Sequence, residues 1–593
     1  MTPSKSENTA SPGLHPKVPA PLRRVPLAAL TLLVASGCTG MVAGGPGPHE
    51  NSGGSGNGSA SASGGPGAGG SASASAGNAG SAANVPLETG GVKLRLLTQA
   101  EYRASIQDLL GTVKAQLSLP DDTSVSGYIS VGAAQISVGD MAAEQYETAS
   151  LAATAEVFAD AQRWQGIVGC QPKADLSDAC VTTFIKSFGQ RAFRRELDDA
   201  EVTQWVGVAQ NGALLASSAA QGLATATSGL LESPNFLYRV ETNKLDASNG
   251  RLKYDGLSMA SRLSFLLKGG PPSADLLTAA AAGQLDTVDG VRAAATPLLT
   301  DASAADRMVA FFSEFAAIQQ VLKVDKSTQL FPSYNAALQQ SMFQGTQLFL
   351  KNIVLGASAD VRSFYDSDQT FVDAALAPIY GVSPPASGFA QVTLAAEAAR
   401  AGILGQASLI AGESQPDRNS PTRRGAFILQ NLLCLTPPPP PPGVITTLPQ
   451  DPNTTARQKM EQHRKNPSCA ACHALFDPLG FGLEHFDAIG KYRTTDNGLP
   501  IDSTGTLDGV AFDGAAQLGA ALRQNVRATS CMVRNFYRNA NGRAEDDVDA
   551  AQIDSLVKDL ASHGYIWRDL IADFVASDAF RSAPALPLMT ASQ

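Results

Sequence analysis

The stretch Cys469-Ala470-Ala471-Cys472-His473 carries the most specific chemical pattern of this 593-residue chain. Its two cysteines lie about one helical turn apart, and a histidine follows the second one directly. Two thiols at that spacing can bond the two vinyl groups of a haem, while the imidazole ligates the iron. The pentad therefore predicts one covalently attached haem c, with Cys469 and Cys472 as the thioether sulfurs and His473 as the proximal iron ligand.

A thioredoxin-like dithiol or half of a zinc site would use the same two cysteines. The chain has 7 cysteines and 6 histidines, but no second C-x-x-C pair that would complete a zinc site. Haem attachment also uses the adjacent histidine, so it is the first hypothesis.

The N-terminal residues indicate export, and covalent haem is normally attached outside the cytoplasm. Residues 1–37 join a basic segment to an apolar run that is too short to span a bilayer. Small residues directly before Cys38 resemble the lipobox of bacterial lipoproteins, which implies cleavage before Cys38 and its acylation. Because Thr39 follows and not Asp, we expect a lipid-anchored protein at the outer membrane or the periplasm-facing envelope. An ordinary signal peptide with an accidental cysteine is the alternative.

Residues 38–92 are predicted to form a flexible tether between this anchor and the folded part. They are almost entirely Gly, Ser, Ala, Asn and Pro up to residue 85. Such a composition buries too little apolar surface to offset the entropy of ordering.

The rest of the chain is too long for one core and predicts a mainly α, multi-domain protein. Helix-forming residues dominate, and strand-like alternation is scarce. The pattern predicts helices over 99–110, with Thr98 as N-cap and Gly111 as a stop, and over 304–321. Short strand-like runs such as 390–394 suggest an occasional hairpin and not a sheet-based core.

Short motifs follow the tether in a fixed order. They include Asp108-Leu109-Leu110-Gly111, Phe188 to Arg195, Glu232 to Arg239, Ala260 to Leu267, Ser420 to Gly425, Asp477 to Gly490, Tyr537-Arg538 with Gly542-Arg543, and Ser577 to Phe580. In this order they resemble the secreted bacterial planctomycete cytochrome-c-like proteins, which are built of five consecutive domains of unknown function with domain of unknown function 1592 at the centre. The resemblance supports the haem hypothesis but implies no substrate, because the activity of that family is unassigned.

The resemblance also implies the domain organisation. The expected domains are a first helical domain at 93–155, a second helical domain at 165–225, a central helical domain at 228–360, a fourth domain at 361–505 and a closing helical domain at 510–585. The fourth contains the haem motif and a spacer, Pro437 to Pro442, which six consecutive prolines should make an extended rod.

Two positions depart from the family pattern. The run Lys268-Gly269-Gly270-Pro271-Pro272 replaces an aromatic and acidic stretch of the central domain, so no family role is carried over to that turn. His485 replaces a usual Asn and adds an imidazole close to the haem motif. Other family-like charged positions predict either interdomain ion pairs, the simpler interpretation, or a substrate site: Glu232, Arg239, Arg262, Asp417, Arg418, Arg423 and Arg424.

The second axial ligand of the iron is open to several side chains. A Met or His would give a six-coordinate electron-transfer haem, whereas an open position would permit ligand or peroxide chemistry. The candidates are Met460, His463, His485, Met532 and His563. Met532 follows the pentad at a separation typical of the distal Met in small c-type cytochromes, so it is the predicted distal ligand. Packing in a helix core is its alternative role.

The segment Asp477 to Gly482 is predicted to wrap the haem, because Pro and Gly allow a close approach of the backbone. Asp477 itself is expected to cap a helix or to tune the haem propionates. Lys491 and Arg493 either pair with those propionates or form a solvated basic surface.

Four cysteines remain once the anchor and the pentad are set aside, and an oxidising compartment favours their pairing. Cys170 and Cys180 flank a short loop and form the first predicted disulfide. Cys434 and Cys531 are then paired by default, in a bridge that would hold the haem segment against the closing helix. Buried thiols are the alternative.

Three functions fit these features. The first is electron transfer by an envelope-anchored monohaem lipoprotein to or from an unknown redox partner. The second is a haem-dependent oxidative enzyme, peroxidase-like or polysaccharide-related, and the third is a structural or binding lipoprotein without redox function. Nucleic acid is not expected as a partner, because the formal net charge is −10 and phosphate binding needs a basic surface.

Overall fold

The computed structural model describes residues 92–246, 251–355, 360–396, 399–438 and 451–584. The predicted signal peptide, Cys38 and residues 38–91 of the predicted tether lie outside these ranges, as do Pro439 to Pro442 of the polyproline spacer. Within them the protein is mainly helical, which confirms the predicted class. None of the helices in the described ranges is long and apolar enough to cross a membrane.

The described residues form 24 α-helices. The first twelve are α1 (Gln99–Leu110), α2 (Ile129–Gly132), α3 (Asp140–Phe158), α4 (Ala161–Val168), α5 (Ala179–Phe193), α6 (Asp199–Ala216), α7 (Ala219–Glu232), α8 (Pro234–Leu237), α9 (Gly256–Leu267), α10 (Ala274–Ala281), α11 (Val288–Thr300) and α12 (Ala302–Phe315). The others are α13 (Ala336–Leu355), α14 (Ser363–Asp366), α15 (Ala377–Tyr380), α16 (Ala407–Gly412), α17 (Pro421–Phe427), α18 (Ala456–His463), α19 (Pro467–Phe481), α20 (Gly514–Gln524), α21 (Val526–Asn541), α22 (Ala550–Ser562), α23 (Trp567–Ala576) and α24 (Asp578–Arg581). Short 3₁₀ segments include Ile318–Leu322, and a π-helix follows α17 at Ile428–Leu432.

Local sequence explains where these helices start and stop. Helix α1 has the predicted bounds, because the Thr98 hydroxyl accepts from the backbone N–H of Glu101 while the Glu101 carboxylate accepts from that of Thr98. The single helix predicted over 304–321 is wrong. Helix α12 ends at Phe315, since Ala317 takes a left-handed conformation with a φ of 49°.

Ten short strands accompany the helices: β1 (Val92–Leu96), β2 (Tyr238–Asp246), β3 (Arg251–Tyr254), β4 (Gln369–Val372), β5 (Ala390–Thr393), β6 (Thr495–Asp496), β7 (Leu499–Pro500), β8 (Thr504–Leu507), β9 (Val510–Asp513) and β10 (Ser582–Pro584). Strands β4 and β5 form one of three antiparallel two-stranded sheets, which bears out the strand predicted over 390–394. The largest sheet has the order β1-β2-β3-β10 and joins the first described residues to the last. Sequence patterns did not indicate this sheet.

The largest apolar core combines side chains from distant parts of the chain. Trp567 of α23 stacks on Phe311 of α12 with ring centroids 5.9 Å apart, and Phe536 of α21 meets the same indole edge-on at 5.2 Å. The same core reaches Phe476 and Leu479 of α19, the helix that carries the cysteine pentad. The pentad therefore belongs to a helix whose inner face is anchored in the main core.

Glu314 of α12 lies where three elements meet. Its carboxylate accepts hydrogen bonds from the backbone N–H of Ile129 at 3.2 Å and from Nδ2 of Asn539 at 3.1 Å. Burial raises the pKa of Glu314 from 4.5 to about 7, and Asp122 adds to that effect, while the Ile129 hydrogen bond and Arg307 oppose it. This carboxyl group thus makes the stability of the fold depend on pH.

Glu314→Gln is expected to raise the free energy of unfolding above pH 7. The pKa of Glu314 is higher in the folded protein than in the unfolded chain. Its contribution to the free energy of unfolding is therefore complete below about pH 4.5 and is lost as the pH rises through 7. That loss corresponds to about 3 kcal/mol, and a glutamine stays neutral and avoids it. Urea unfolding of both proteins at pH 5, 6, 7 and 8 should show a difference that grows with pH in favour of the variant. Parallel profiles would contradict the prediction.

Candidate haem-attachment site

The cysteine pentad lies on the first two turns of α19. Asn466 begins this helix by accepting a hydrogen bond from the backbone N–H of Ser468 at 3.0 Å. Pro467 occupies the first helical position, where its missing N–H costs nothing. Because residues three apart on a helix are neighbours, Cys469 and Cys472 share one side of α19, and His473 follows on the next position.

The two pentad cysteines are the free thiols of the described residues. Cys469 is buried and Cys472 is partly exposed, with its Sγ 3.5 Å from the carbonyl oxygen of Pro438. The other described cysteines are bonded in the two predicted pairs, Cys170–Cys180 and Cys434–Cys531. The structure therefore separates the free thiols of the pentad from the four cysteines that form disulfides.

His473 is held by a carboxylate one turn along the same helix. Its Nδ1 lies 3.1 Å from both carboxylate oxygens of Asp477, which is fully buried. The Thr422 hydroxyl of α17 lies 3.2 Å from Oδ1 of the same carboxylate. A neutral imidazole that donates its Nδ1 hydrogen to Asp477 keeps the lone pair of Nε2 available for a metal.

Two of the candidate distal ligands lie next to this histidine. The rings of His463 and His473 meet edge-on with centroids 4.8 Å apart, and Met460 Sδ lies 3.2 Å from the Thr422 hydroxyl. Burial lowers the pKa of His463, and the neighbouring His473 lowers it further. The two imidazoles are in direct contact, and ligation by His463 stays a prediction.

The remaining distal candidates have partners elsewhere. His485 places Nδ1 2.9 Å from the carbonyl oxygen of Arg493, and His563 places Nδ1 3.2 Å from the carboxylate of Asp573. Met532 is 1 % exposed on α21 within the main apolar core. That position agrees with the packing role, and ligation by Met532 stays a prediction.

The segment after the pentad does not have the predicted form. Residues Asp477 to Phe481 continue α19, and Gly480 faces the neighbouring helix α17. A Cβ on Gly480 would lie 1.9 Å from the carbonyl oxygen of Pro421, which shows that glycine here lets α19 approach α17. Leu479 and Phe481 are buried. The segment is therefore helix and not an open turn, and its contact with a haem stays a prediction.

The predicted roles of two charged residues also change. Asp477 caps no helix, because it lies in the interior of α19 and contacts His473. Arg493 pairs with Glu484 at 3.3 Å and with Asp496 at 2.7 Å, so its guanidinium is already used within the protein. The pairing of His473 with Asp477 was missed in the sequence, although an i, i+4 spacing on a predicted helix is a signal for it.

The side chains of the pentad are those that would hold a haem. In the ranges given above, no three His, Cys, Asp or Glu side chains converge as a metal ion requires. Haem supplies four nitrogens to its own iron, and needs from the protein one imidazole and two thiols for its vinyl groups. Cys469, Cys472 and His473 are the side chains that would supply them, with Nδ1 of His473 occupied by Asp477 and its Nε2 left for the iron.

Comparison with known families finds five models of proteins of unknown function along the chain. In chain order they match DUF1587 at residues 95–159, DUF1595 at 180–241, DUF1592 at 255–382, DUF1588 at 400–496 and DUF1585 at 508–580. The DUF1588 match contains the whole pentad. No curated protein and no solved structure matches the chain. With these five domains in succession and DUF1592 at their centre, the chain belongs to the planctomycete cytochrome-c-like families.

Proposed function

We propose that this protein is an envelope-anchored, monohaem c-type cytochrome-like lipoprotein that transfers electrons to or from a redox partner protein. The observation that carries the proposal is the contrast among the described cysteines. Four of them are joined in disulfides, while Cys469 and Cys472 stay free one turn apart beside an oriented histidine. The cytochrome-c-like family supports the same conclusion.

Each residue of the pentad has a defined task in this proposal. The thiols of Cys469 and Cys472 would each hold the haem by adding across one vinyl double bond, with a carbon–sulfur bond formed and the thiol hydrogen passed to the other vinyl carbon. This addition needs no oxidant or reductant. His473 would ligate the iron through Nε2, and Asp477 holds the ring through Nδ1. When bound, the haem supplies a one-electron couple.

The proposal assigns the exposed surface around the pentad to the haem and to contact with a partner. Leu475 is 49 % exposed on α19, and Ala471 and Ala474 are exposed beside it. In this proposal a bound haem or the partner protein covers these side chains. Acylation of Cys38 completes the proposal by keeping the protein at the outer membrane or another periplasm-facing surface.

Co-expression with a c-type cytochrome maturation system tests the proposal. We expect wild-type protein with one covalent haem, seen as a pyridine haemochrome spectrum and as an intact mass increased by one haem. Cys469→Ser/Cys472→Ser should abolish both signals, because serine hydroxyls do not form the thioethers. Cys170→Ser/Cys180→Ser is the matched control, since it also removes two cysteines but should retain the haem.

The outcome that contradicts the proposal is equally clear. Folded wild-type protein that lacks covalent haem under these conditions would leave a lipoprotein without a redox centre. Equal haem content in the wild type and in the pentad variant would show that these cysteines are not the attachment point.

A further inference from the structure

Among the buried carboxylates of the described residues, Asp477 differs in having a histidine and not an arginine as its basic partner. Five carboxylate side chains are less than 9 % exposed, and four of them lie within ion-pair distance of an arginine: Glu101, Glu241, Glu484 and Asp549. Asp477 has no lysine or arginine at that distance in the same ranges, and its one basic neighbour is His473. This buried carboxylate therefore has an imidazole, and not a lysine or arginine, as its basic partner.

Keeping a carboxylate in the interior of a protein costs several kcal/mol unless it is paired and hydrogen-bonded. Asp477 receives a hydrogen bond from the neutral hydroxyl of Thr422, which does not balance its charge. A proximal histidine on a positively charged iron would do so, because the charge reaches the carboxylate through the Nδ1 hydrogen bond.

We propose that Asp477 is a positioning residue that lowers the reduction potential of the haem through His473. An imidazole that donates to a carboxylate gains negative charge and becomes a stronger ligand, which stabilises ferric iron over ferrous iron. The inference rests on the proposed function and deepens it. It makes this centre an electron donor of low potential within its class.

Thr422 is the second residue that affects the reduction potential through Asp477. Its hydroxyl lies 3.2 Å from both the carboxylate of Asp477 and the sulfur of Met460. A charged carboxylate is a stronger acceptor than a thioether, so the hydroxyl donates to Asp477. This hydrogen bond withdraws charge from the carboxylate and weakens its effect on His473. Loss of the hydroxyl should therefore change the potential in the direction opposite to loss of the carboxylate.

The test is a spectroelectrochemical titration of matured protein. Asp477→Asn should keep its covalent haem and become easier to reduce, with a reduction equilibrium constant about tenfold higher, which is a positive shift of about 59 mV for one electron. Asp477→Glu should return part of the shift, since it restores the charge. Thr422→Val should shift the potential to more negative values. Glu461→Gln is the matched control, because Glu461 is exposed on the neighbouring helix α18 and should leave the potential unchanged.

A second readout separates this effect from general damage to the site. The iron–histidine stretching band, recorded by resonance Raman in the five-coordinate ferrous species that photolysis of the carbon monoxide adduct leaves, should move to lower frequency in Asp477→Asn, because the imidazole loses its anionic partner. A merely structural role for Asp477 predicts loss of haem content without that pattern of shifts.

The two proposals fail in different ways. Wild-type protein without covalent haem overturns the proposed function and this inference with it. Haem-bearing Asp477→Asn with an unchanged potential overturns this inference alone. If Asp477→Asn does not fold, Thr422→Val decides, and a potential that does not become more negative in that variant overturns the inference.

Discussion

Replacing Cys434 and Cys531 by alanine is expected to lower the free energy of unfolding by about 4.7 kcal/mol, the value for closing a loop of about 100 residues. The disulfide joins residues 97 apart in sequence, so it removes much conformational freedom from the unfolded chain. Cys434 follows the π-helix Ile428–Leu432, and Cys531 belongs to α21. The bridge therefore fastens the DUF1588 segment to the DUF1585 segment, and urea unfolding of the variant and the wild type measures its effect.

The second disulfide is an internal control for this prediction. Cys170 and Cys180 are only 10 residues apart, so the same loop-closure argument gives about 2.7 kcal/mol for Cys170→Ala/Cys180→Ala. We expect the long-range pair to have the larger effect by about 2 kcal/mol. A larger loss for the short-range pair would show that local packing, and not loop closure, determines the effect of these bridges.

Sequence patterns were sufficient for features that depend on neighbouring residues. The capping box of α1 needs only Thr98 and Glu101, three positions apart, and the predicted bounds are those observed. The order of family motifs likewise identified the five domains that the family models match. Such features are fixed by short spacings, which a single sequence shows directly.

Features that depend on distant residues were not accessible in this way. Strand β10 has three residues and pairs with β3 more than three hundred positions earlier in the chain, so neither its length nor its neighbours indicate a sheet. At the candidate site, the pentad specified the thiols and His473. It did not specify that a helix continuing through Pro478 would place Asp477 beneath the imidazole, because proline in sequence indicates a helix end. Packing of α19 on α17 overrides that local preference.

Glu241→Gln is expected to lower the free energy of unfolding by about 3 to 5 kcal/mol, the cost of breaking a buried ion pair by removing one partner. The Glu241 carboxylate is buried 2.7 Å from Arg262 and 3.1 Å from Arg239. Burial alone would raise the pKa of Glu241, but the charges of Arg262 and Arg239 outweigh it and lower the pKa. Arg95 lies directly opposite Arg239 in the β1–β2 pairing, so the site already holds like charges face to face.

The large effect follows from what the substitution leaves behind. Without the charge of Glu241, the buried guanidinium groups of Arg95, Arg239 and Arg262 lose their common counter-charge, and within the described ranges only Arg239 keeps a carboxylate at ion-pair distance, that of Glu101 at 3.7 Å. The matched control is Asp108→Asn, which breaks the pair of Asp108 with Arg191 at 2.8 Å, where both side chains are about 40 % exposed. An exposed pair contributes about 0–1 kcal/mol, so the control should unfold close to the wild type. Similar urea midpoints for the two variants would contradict the prediction. They would mean that the buried arginine charges are balanced without Glu241, and that the sheet joining the two ends of the described chain is held by its backbone pairing alone.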